Sequence, residues 1–319
     1  MKKIVVLEPG YEHYREEEAV LAAFNPQFIV VPENATEEQR LEVLSQADAV
    51  MVREALLPAK SINALKKCAV IVRYGVGVDN VDLRTAKERG IYVANVPDYG
   101  SEDVAEHALA MLLASARRIT SRNTQVHNGK WNIGQTEPMF RLNGKVLGIV
   151  GFGRIARCLA KKSSGIGFRT ILVCDPLLDE TTAKEAGVVN VSLEHLCHEA
   201  DLISLHVPLS EKTRHLVGSD QLALMKPSTV LVNTSRGGLI DEEALYNALQ
   251  HNRLFAAGLD VFENEPVKAN NPLLSLPNVI CTDHTAWFTE ESVIELQQKA
   301  AQEVLRVFEG NKPVNWVNA

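Results

Sequence analysis

Three side chains in the second half of the chain are suited to acid–base chemistry on an anionic substrate. Arg236 carries a planar guanidinium, which can bind a carboxylate through two parallel hydrogen bonds. His284 can exchange a proton near neutral pH, and Glu265 can accept a hydrogen bond from its ring and orient it. The set could therefore hold the carboxylate of a 2-keto acid and deliver a proton to the neighbouring carbonyl oxygen.

Each of these residues follows a short apolar run of strand length. The runs cover residues 229–234, 256–261 and 278–281. In an open sheet of parallel strands, ligands bind beyond the carboxyl ends of the strands, where all three side chains are expected. Each also has an ordinary interpretation, as a solvated loop arginine, a turn glutamate and a histidine that satisfies a local hydrogen bond. Their occurrence at successive strand ends favours a shared site.

A glycine-rich loop precedes this set in the chain. Gly151 and Gly153 follow the apolar run 146–150 and open a predicted helix over 154–162, in the pattern G-x-G-x-x-A. Gly151 permits a tight turn and Gly153 lets the backbone approach a pyrophosphate, while Ala156 replaces the third glycine where the helix packs on the strand. The helix N-terminus then offers N–H groups to phosphates.

An acidic residue stands where a bound dinucleotide would present its ribose. The next predicted strand ends at Asp175, about 20 residues beyond the glycines. A carboxylate there accepts hydrogen bonds from the ribose hydroxyls and repels a 2′-phosphate, so NAD is favoured over NADP. Alternatively, Asp175 is a turn residue before Pro176 and the glycines form a tight loop only. The order of strand, loop, helix, strand and acid favours a dinucleotide-binding domain.

Strand-like and helix-like segments alternate along the chain. The predicted strands are residues 3–7, 28–31, 49–52, 70–73, 91–95, 146–150, 170–175, 188–191, 202–206, 229–234, 256–261 and 278–281. These runs are apolar throughout, which is typical of parallel strands covered on both faces. Two longer helical patterns, 101–118 and 289–309, are interpreted as connectors between two lobes.

The predicted fold class is therefore α/β, with two doubly wound parallel-sheet lobes joined by long helices. The connectors divide the chain into one domain of residues 1–98 plus 289–319 and a second domain of residues 99–288. The glycine-rich loop and the three candidate catalytic residues all fall in the second domain.

The composition excludes several other classes of protein. Of the 319 residues, 46% are hydrophobic and 23% are charged, which is too apolar for a disordered chain. The net charge of −7 comes without a basic stripe, and the apolar runs are too short for a membrane helix, so neither nucleic acid nor a membrane is an expected partner. The run after Met1 is too short for a secretion signal. The five cysteines lack C-x-x-C spacing, which favours free thiols in a reducing cytoplasm and no metal site.

Six segments carry a resemblance to a known family. Residues 150–155, 233–238, 258–266 and 284–287, with 72–80 and 95–100 in the first lobe, resemble the D-isomer-specific 2-hydroxyacid dehydrogenases. The resemblance covers essentially the whole chain, and the motifs occur in family order. Within the family, the segments 95–100 and 284–287 are most similar to the branch that contains the C-terminal binding proteins.

The resemblance implies an NAD-dependent dehydrogenase with a flavodoxin-like substrate lobe, a Rossmann cofactor lobe and an Arg–Glu–His active site. Arg236 would bind the substrate carboxylate, His284 would be the acid in reduction and the base in oxidation, and Glu265 would orient it. The implied cofactor positions are Gly151, Gly153, Arg154, Ile155, Asp175, Val207, Pro208, Thr213, Thr234, Ser235, Arg236, Asp260 and His284, with Asp260 on the nicotinamide side and Val104 against the ring. The implied substrate positions are Tyr74, Gly75, Val76, Gly77, Arg236 and Trp287, the loop 75–77 offering backbone N–H groups. A homodimer that pairs through the cofactor lobes is also implied.

The chain departs from the family pattern at two positions beside His284. Asp283 replaces the usual proline, and its carboxylate would either act on His284 or point to solvent. Trp287 replaces a small residue, so it either walls the substrate pocket or packs at the lobe boundary. No regulatory domain is expected after Ala319, unlike the long phosphoglycerate dehydrogenases.

Two rival functions follow from the same resemblance. The C-terminal binding proteins carry the same residues, so the chain could be an NAD-responsive binding protein rather than an enzyme. A phosphoglycerate or phosphite dehydrogenase of the same fold is the other alternative, whereas formate oxidation has no alcohol proton for a Glu–His pair to handle. The identity of the acid stays open among glyoxylate, hydroxypyruvate, pyruvate and 3-phosphoglycerate or their relatives. Arg53 and Arg73 are the only early candidates for binding a phosphate group.

Overall fold

The computed structural model describes residues 1–7, 11–131 and 137–319. The chain divides into two compact units. One comprises Met1–Gly100 with Phe288–Ala319, and the other comprises Ser101–Trp287.

The first unit is built on a sheet of five parallel strands in the order β2-β1-β3-β4-β5. The strands are β1 (Lys3–Leu7), β2 (Gln27–Val31), β3 (Ala49–Val52), β4 (Val70–Arg73) and β5 (Tyr92–Ala94). The helices between them are α1 (Arg15–Val20), α2 (Glu37–Leu44), α3 (Ala59–Ala64) and α4 (Leu83–Glu88), with a 3₁₀ turn over Ala22–Phe24. The central strands are buried along almost their whole length, which explains why their sequences are apolar without alternation.

The second unit has seven parallel strands in the order β12-β11-β10-β9-β6-β7-β8. They are β6 (Val146–Val150), β7 (Thr170–Cys174), β8 (Val189–Asn190), β9 (Leu202–Leu205), β10 (Val230–Asn233), β11 (Ala256–Leu259) and β12 (Val279–Cys281). Its helices are α5 (Ser101–Ala116), α6 (Ile119–His127), α7 (Arg154–Ser163), α8 (Glu180–Glu185), α9 (Leu193–Glu199), α10 (Ser219–Leu224) and α11 (Glu242–Gln250). Short 3₁₀ turns cover Ser164–Ile166, Gly237–Leu239 and Pro272–Ser275. The last helix, α12 (Glu290–Phe308), returns to the first unit.

The predicted fold class is confirmed, since both sheets are parallel and carry helices in the connections between their strands. The predicted helix over 101–118 is confirmed to within two residues, since α5 covers Ser101–Ala116. The separate helix α6 that follows was not predicted. Arg118 adopts a left-handed backbone conformation, with φ of 55°, and its guanidinium stacks 4.1 Å from the centre of the Phe255 ring. This turn separates α5 from α6.

No helix in the described residues is both long enough and apolar enough to cross a membrane.

The C-terminal segment closes the free edge of the five-stranded sheet. The Asn318 side chain is buried and replaces a missing neighbouring strand, because its Oδ1 accepts the Val93 N–H at 2.8 Å and its Nδ2 donates to the Ile91 carbonyl at 2.9 Å. The Trp316 indole N–H also donates to Asn318 Oδ1, at 2.6 Å. The last residues therefore fix β5, which leads directly into the loop beside the proposed substrate-binding backbone.

We expect Asn318→Ala to lower the free energy of unfolding by about 1–3 kcal/mol, because it leaves a buried N–H and a buried carbonyl without partners. Thermal and denaturant melts of wild type and variant measure this. The matched control is Asn311→Ala, which alters an exposed asparagine of the same segment and should melt like the wild type. Equal stability of Asn318→Ala and wild type would contradict the assigned role of Asn318.

Candidate active site

The glycine-rich loop lies between β6 and α7 and has room for a phosphate group. Gly151 has φ of 88°, and a Cβ there would lie 2.7 Å from the His206 carbonyl oxygen, so only glycine fits the turn. Gly153 is the N-cap of α7, and a Cβ there would meet nothing within 4 Å. The loop is thus closed against β9 on one side and open at the helix N-terminus, which fits a pyrophosphate.

Asp175 lies at the end of β7 and braces this loop. Its Oδ2 accepts the Phe152 N–H at 2.7 Å and its Oδ1 accepts the Leu177 N–H at 2.8 Å. It also lines an open cavity of about 430 Å³ with Cys174, Pro176, Asn190, Val191 and Ser192. The carboxylate therefore holds the glycine loop and also borders this open cavity.

The turn that carries Arg236 is fixed by side-chain hydrogen bonds. Asn233 ends β10, and its amide accepts the Ser235 N–H at 3.0 Å and donates to the Arg236 carbonyl at 2.9 Å. The Ser235 hydroxyl donates to the Leu205 carbonyl on the neighbouring strand at 2.9 Å. The half-buried Arg236 donates through Nη1 to the Ser235 carbonyl at 2.7 Å. Arg236 consequently leaves the sheet from a turn with little freedom.

Gly237 brings the turn after β10 into backbone contact with the loop after β11. A Cβ on Gly237 would lie 1.8 Å from the carbonyl carbon of Phe262 and 2.3 Å from the amide nitrogen of Glu263. No larger residue fits without displacing that loop. Since the same loop carries Glu265, the placement of Arg236 and that of Glu265 depend on each other.

Glu265 and His284 form a short hydrogen bond, with 2.6 Å between Oε2 and Nδ1. The other carboxylate oxygen of Glu265 accepts the Phe262 N–H at 2.9 Å. Burial alone raises the pKa of Glu265, but the hydrogen bonds from His284 and Phe262 and the charges of His284 and Arg236 hold that pKa below its usual value. With Glu265 ionised, Nδ1 of His284 is the protonated nitrogen and Nε2 is the one left for proton transfer.

Asp260 holds the loop that carries His284. It is 1% exposed, and its carboxylate accepts hydrogen bonds from the Thr282 hydroxyl, the Thr285 N–H at 2.9 Å and the Ala286 N–H at 3.0 Å. Its backbone carbonyl accepts the His284 N–H at 2.9 Å. We expected Asp260 to reach the nicotinamide. Its carboxylate oxygens are instead engaged by the loop, so a contact to the cofactor stays a prediction.

The remaining predicted cofactor residues lie in the same unit, in several settings. Thr213 is engaged within its own loop, where its hydroxyl donates to the Pro208 carbonyl at 2.7 Å and accepts the Ser210 N–H at 2.8 Å. Arg154 and Ile155 begin α7, and Val207 follows β9. Two others are buried, namely Thr234 after β10, which is 8% exposed, and Val104 on α5, which is 9% exposed. Their contacts with NAD stay predictions.

Asp283 and Trp287 are the two departures from the family pattern. The Asp283 carboxylate is exposed and accepts the Thr285 hydroxyl at 3.1 Å, which favours a local role in the loop. Trp287 is half-buried at the end of the second unit.

The predicted substrate loop 75–77 follows β4 in the first unit. Tyr74 is 2% exposed and its hydroxyl donates to Glu17 at 2.7 Å, so its side chain lies behind the loop rather than on its surface. The Gly75 N–H donates to the Arg73 carbonyl at 2.9 Å. Within the described part of the chain, the N–H groups of Val76 and Gly77 make no hydrogen bond, which leaves two of the three predicted donors for a ligand.

Sequence reasoning missed two polar residues that shape the site. Asn233 ends an apolar strand, and that change of polarity was the available signal. His206 is half-buried beside the glycine loop, with Nε2 2.8 Å from the Ser204 hydroxyl, and desolvation of its ring lowers its pKa to about 4, which keeps it neutral. Among the described residues, no cluster of three or more His, Cys, Asp or Glu side chains could hold a metal ion.

Comparison with known protein families identifies the family of this chain. The sequence profile of the D-isomer specific 2-hydroxyacid dehydrogenase family, NAD-binding domain, matches residues 109–286. The chain belongs to the D-isomer specific 2-hydroxyacid dehydrogenase family. The predicted membership is therefore confirmed, and so are NAD as the cofactor and NAD-dependent oxidoreduction as the enzyme class, at the level of this family. The similarity to the C-terminal binding protein branch stays a prediction.

Relatives within this family differ in length. The chain is 40% identical to the D-3-phosphoglycerate dehydrogenase of Methanocaldococcus jannaschii over 100% of its own residues, but it spans only 60% of that relative. It is 42% identical to the glyoxylate reductase of Korarchaeum cryptofilum, over 82% of this chain and 80% of the relative.

Two solved structures share the whole fold. The TT0316 protein of Thermus thermophilus superposes with a TM-score of 0.89 at 33% identity and 99% coverage of both chains. The D-lactate dehydrogenase of Aquifex aeolicus, solved with NAD and lactic acid, gives a TM-score of 0.84 at 28% identity, covering 97% of this chain and 96% of that one.

We expect Gly237→Ala to lower the free energy of unfolding by about 1–3 kcal/mol, the usual cost of overpacking, because the added methyl displaces the Phe262–Glu263 peptide. Thermal melts measure the effect. The control is Gly165→Ala, where a Cβ meets nothing within 4 Å, and its melting temperature should not fall. If both variants melt alike, the two loops are not in the contact described.

Ionised Glu265 should stabilise the fold only above acidic pH. Because its folded pKa lies below the unfolded value of about 4.3, the stabilisation is fully present above that value and is lost as pH falls through the folded pKa. The difference in unfolding free energy between wild type and Glu265→Gln should therefore be largest above about pH 5 and shrink toward about pH 3. Denaturant melts across this range test it, with the exposed Glu309→Gln as control. A difference that stays constant with pH would rule out the assigned ion pair.

Proposed function

We propose that the protein interconverts a D-2-hydroxy acid and the corresponding 2-keto acid, with NAD as the hydride carrier. The observation that carries the proposal is the 2.6 Å hydrogen bond between Glu265 and His284, with Glu265 on a loop in backbone contact with the Arg236 turn. This arrangement supplies one oriented imidazole nitrogen and one guanidinium. A keto acid needs a proton for its carbonyl oxygen and a cation for its carboxylate.

The three side chains have separate tasks in this reaction. Arg236 binds the carboxylate and draws charge toward the carbonyl oxygen as it becomes an alkoxide. His284 gives the Nε2 proton to that oxygen in reduction and takes it back in oxidation. Glu265 holds the ring in the correct tautomer through Nδ1 and stabilises the charged imidazole.

The cofactor would be held by the glycine loop and by Asp175. The backbone of Gly151–Gly153 and the N-terminus of α7 would bind the pyrophosphate, and Asp175 would bind the adenosine ribose at the 430 Å³ cavity. Bound NAD supplies or accepts the hydride. Contacts of Val104, Ile155, Thr213 and Asp260 with the cofactor belong to this proposal.

The proposed substrate class is a 2-keto acid. Members of this class differ in the side chain attached to the keto carbon. Relatives are named glyoxylate reductase, hydroxypyruvate reductase and D-3-phosphoglycerate dehydrogenase, and all three names denote acids that share a carboxylate beside the reacting carbon. The N–H groups of Val76 and Gly77 are proposed as further carboxylate donors. The half-buried Trp287 is proposed to limit the size of the substrate side chain.

A cytoplasmic homodimer is the proposed state of the protein. Among the described residues between 119 and 139, four large apolar side chains are exposed, namely Ile119 (58%), Val126 (48%), Trp131 (79%) and Met139 (45%). A group of exposed apolar side chains close together in the sequence is typical of a surface that contacts a second chain. The five free cysteines fit a reducing compartment. Light scattering in solution tests the dimer.

A panel of 2-keto acids with NADH tests the reaction. We expect turnover of at least one of glyoxylate, hydroxypyruvate and pyruvate, and we expect His284→Ala to lower the rate at least about 10²-fold, the usual contribution of a positioned acid. Arg236→Ala should abolish turnover through lost carboxylate binding and orientation. The control variant is His251→Ala, an exposed histidine at the end of α11, which should keep full activity.

Two results would contradict the proposal. A wild-type protein that binds NADH but turns over no member of the panel would favour the NAD-responsive binding protein. A His284→Ala variant as fast as the wild type would remove the proton-donor role.

A further inference from the structure

The first unit contains a buried carboxyl group that the proposed reaction does not use. Glu17 lies on α1 and is 0% exposed. Its Oε1 accepts the Tyr74 hydroxyl at 2.7 Å, and both of its oxygens accept the Gln297 amide, at 3.2 and 3.1 Å. Gln297, on α12, also donates to the His13 carbonyl at 2.9 Å.

This burial is costly for a carboxyl group. None of the ion pairs formed by the described residues includes Glu17, so its partners are neutral hydrogen-bond donors. Burial raises the pKa of Glu17, while the hydrogen bonds from Tyr74 and Gln297 oppose that rise. An apolar side chain of similar size would fill the same space at lower cost. The position therefore calls for an explanation beyond packing.

The burial of Glu17 is explained by the position of Tyr74, which directly precedes the substrate loop 75–77. Its ring packs edge-on against Tyr11, with 5.2 Å between ring centres, and its N–H donates to the Val52 carbonyl at 2.8 Å. The next residue, Gly75, has φ of 134° and accepts the Val96 N–H at 2.9 Å. The backbone then presents the N–H groups of Val76 and Gly77.

We infer that Glu17 is a positioning residue for the substrate loop 75–77, acting through the Tyr74 hydroxyl. The hydrogen bond fixes the Tyr74 side chain, and a fixed Tyr74 limits the directions in which the N–H groups of Val76 and Gly77 can point. This inference rests on the proposed function, because it takes loop 75–77 to bind the carboxylate of a 2-keto acid. Its effect should fall on the KM for that acid, and neither on the KM for NADH nor on kcat.

The alternative is that Glu17 only ties α1 to α12 through Gln297. Three variants separate the two roles. Tyr74→Phe removes the hydroxyl and leaves Glu17 with Gln297, whereas Gln297→Met removes the tie to α12 and leaves Glu17 with Tyr74. Glu17→Gln keeps an acceptor oxygen for the Tyr74 hydroxyl, but it places a second side-chain amide group next to the amide of Gln297.

The experiment measures kcat and both KM values for the full-length protein and these variants, with melting temperatures as a check of folding. Tyr74→Phe should raise the KM for the 2-keto acid about tenfold, the scale of one buried hydrogen bond. Gln297→Met and Glu17→Gln should lower the melting temperature and leave that KM within about twofold of wild type. The matched control is Tyr92→Phe, which removes a hydroxyl from the same unit at a ring packed on Trp316. It should change neither quantity.

A second readout needs no substrate. The Val96 amide is bonded to the Gly75 carbonyl, so its hydrogen exchange reports the order of the loop. Exchange should be several-fold faster in Tyr74→Phe than in wild type and unchanged in Gln297→Met and Tyr92→Phe.

The outcomes are distinct. If Tyr74→Phe melts at a lower temperature but keeps the wild-type KM and exchange rate, the positioning role is overturned. If the wild type reduces no keto acid while the exchange rates still separate as expected, the proposed function fails and the fixing of loop 75–77 by Glu17 stands.

Discussion

The proposed chemistry depends on one buried carboxylate, that of Asp260, holding an unfavourable loop in place. His284 has φ of 58°, a left-handed conformation that is uncommon for histidine and costs about 1–3 kcal/mol unless its surroundings impose it. Asp260 imposes it by accepting hydrogen bonds from three groups of residues 282–286 and by binding the His284 N–H through its own carbonyl. The imidazole is thereby fixed before any ligand binds. An acid that must meet a carbonyl oxygen within hydrogen-bond distance benefits from such preorganisation.

Three other acidic residues follow the same principle. Each uses its oxygens to hold a neighbouring group and so fixes the part of the chain that faces chemistry or a ligand. Glu265 binds the Phe262 N–H with one oxygen and His284 with the other. Asp175 holds the glycine loop through the Phe152 N–H while it lines the open cavity of about 430 Å³. Glu17 is proposed to do the same in the first unit through Tyr74. Side chains that serve two partners at once leave the loops at the strand ends little freedom, which is what a site built on loops requires.

The sequence predicted the parts of the molecule whose cause is local. Uninterrupted apolar runs indicate buried parallel strands, so the twelve strands in the described part of the chain were located to within two residues. The G-x-G-x-x-A pattern likewise indicates the turn that it forms. The helix α6 was missed, because it begins after a left-handed turn at Arg118 that packs on a ring contributed by the distant Phe255. The buried setting of Tyr74 was missed for the same reason, since Glu17 and Gln297 meet it only after the chain has folded. Tertiary partners at large sequence separation leave no local pattern to read.

The central claim is that a hydride passes between NAD and C2 of a keto acid while a proton from His284 reaches the oxygen. The most direct measurement is reduction of pyruvate or hydroxypyruvate with NADH that carries deuterium at both C4 positions, followed by mass spectrometry and chiral separation of the product. The account predicts one deuterium at C2 of a D-2-hydroxy acid. A product without deuterium at C2, or an L-2-hydroxy acid, would contradict it.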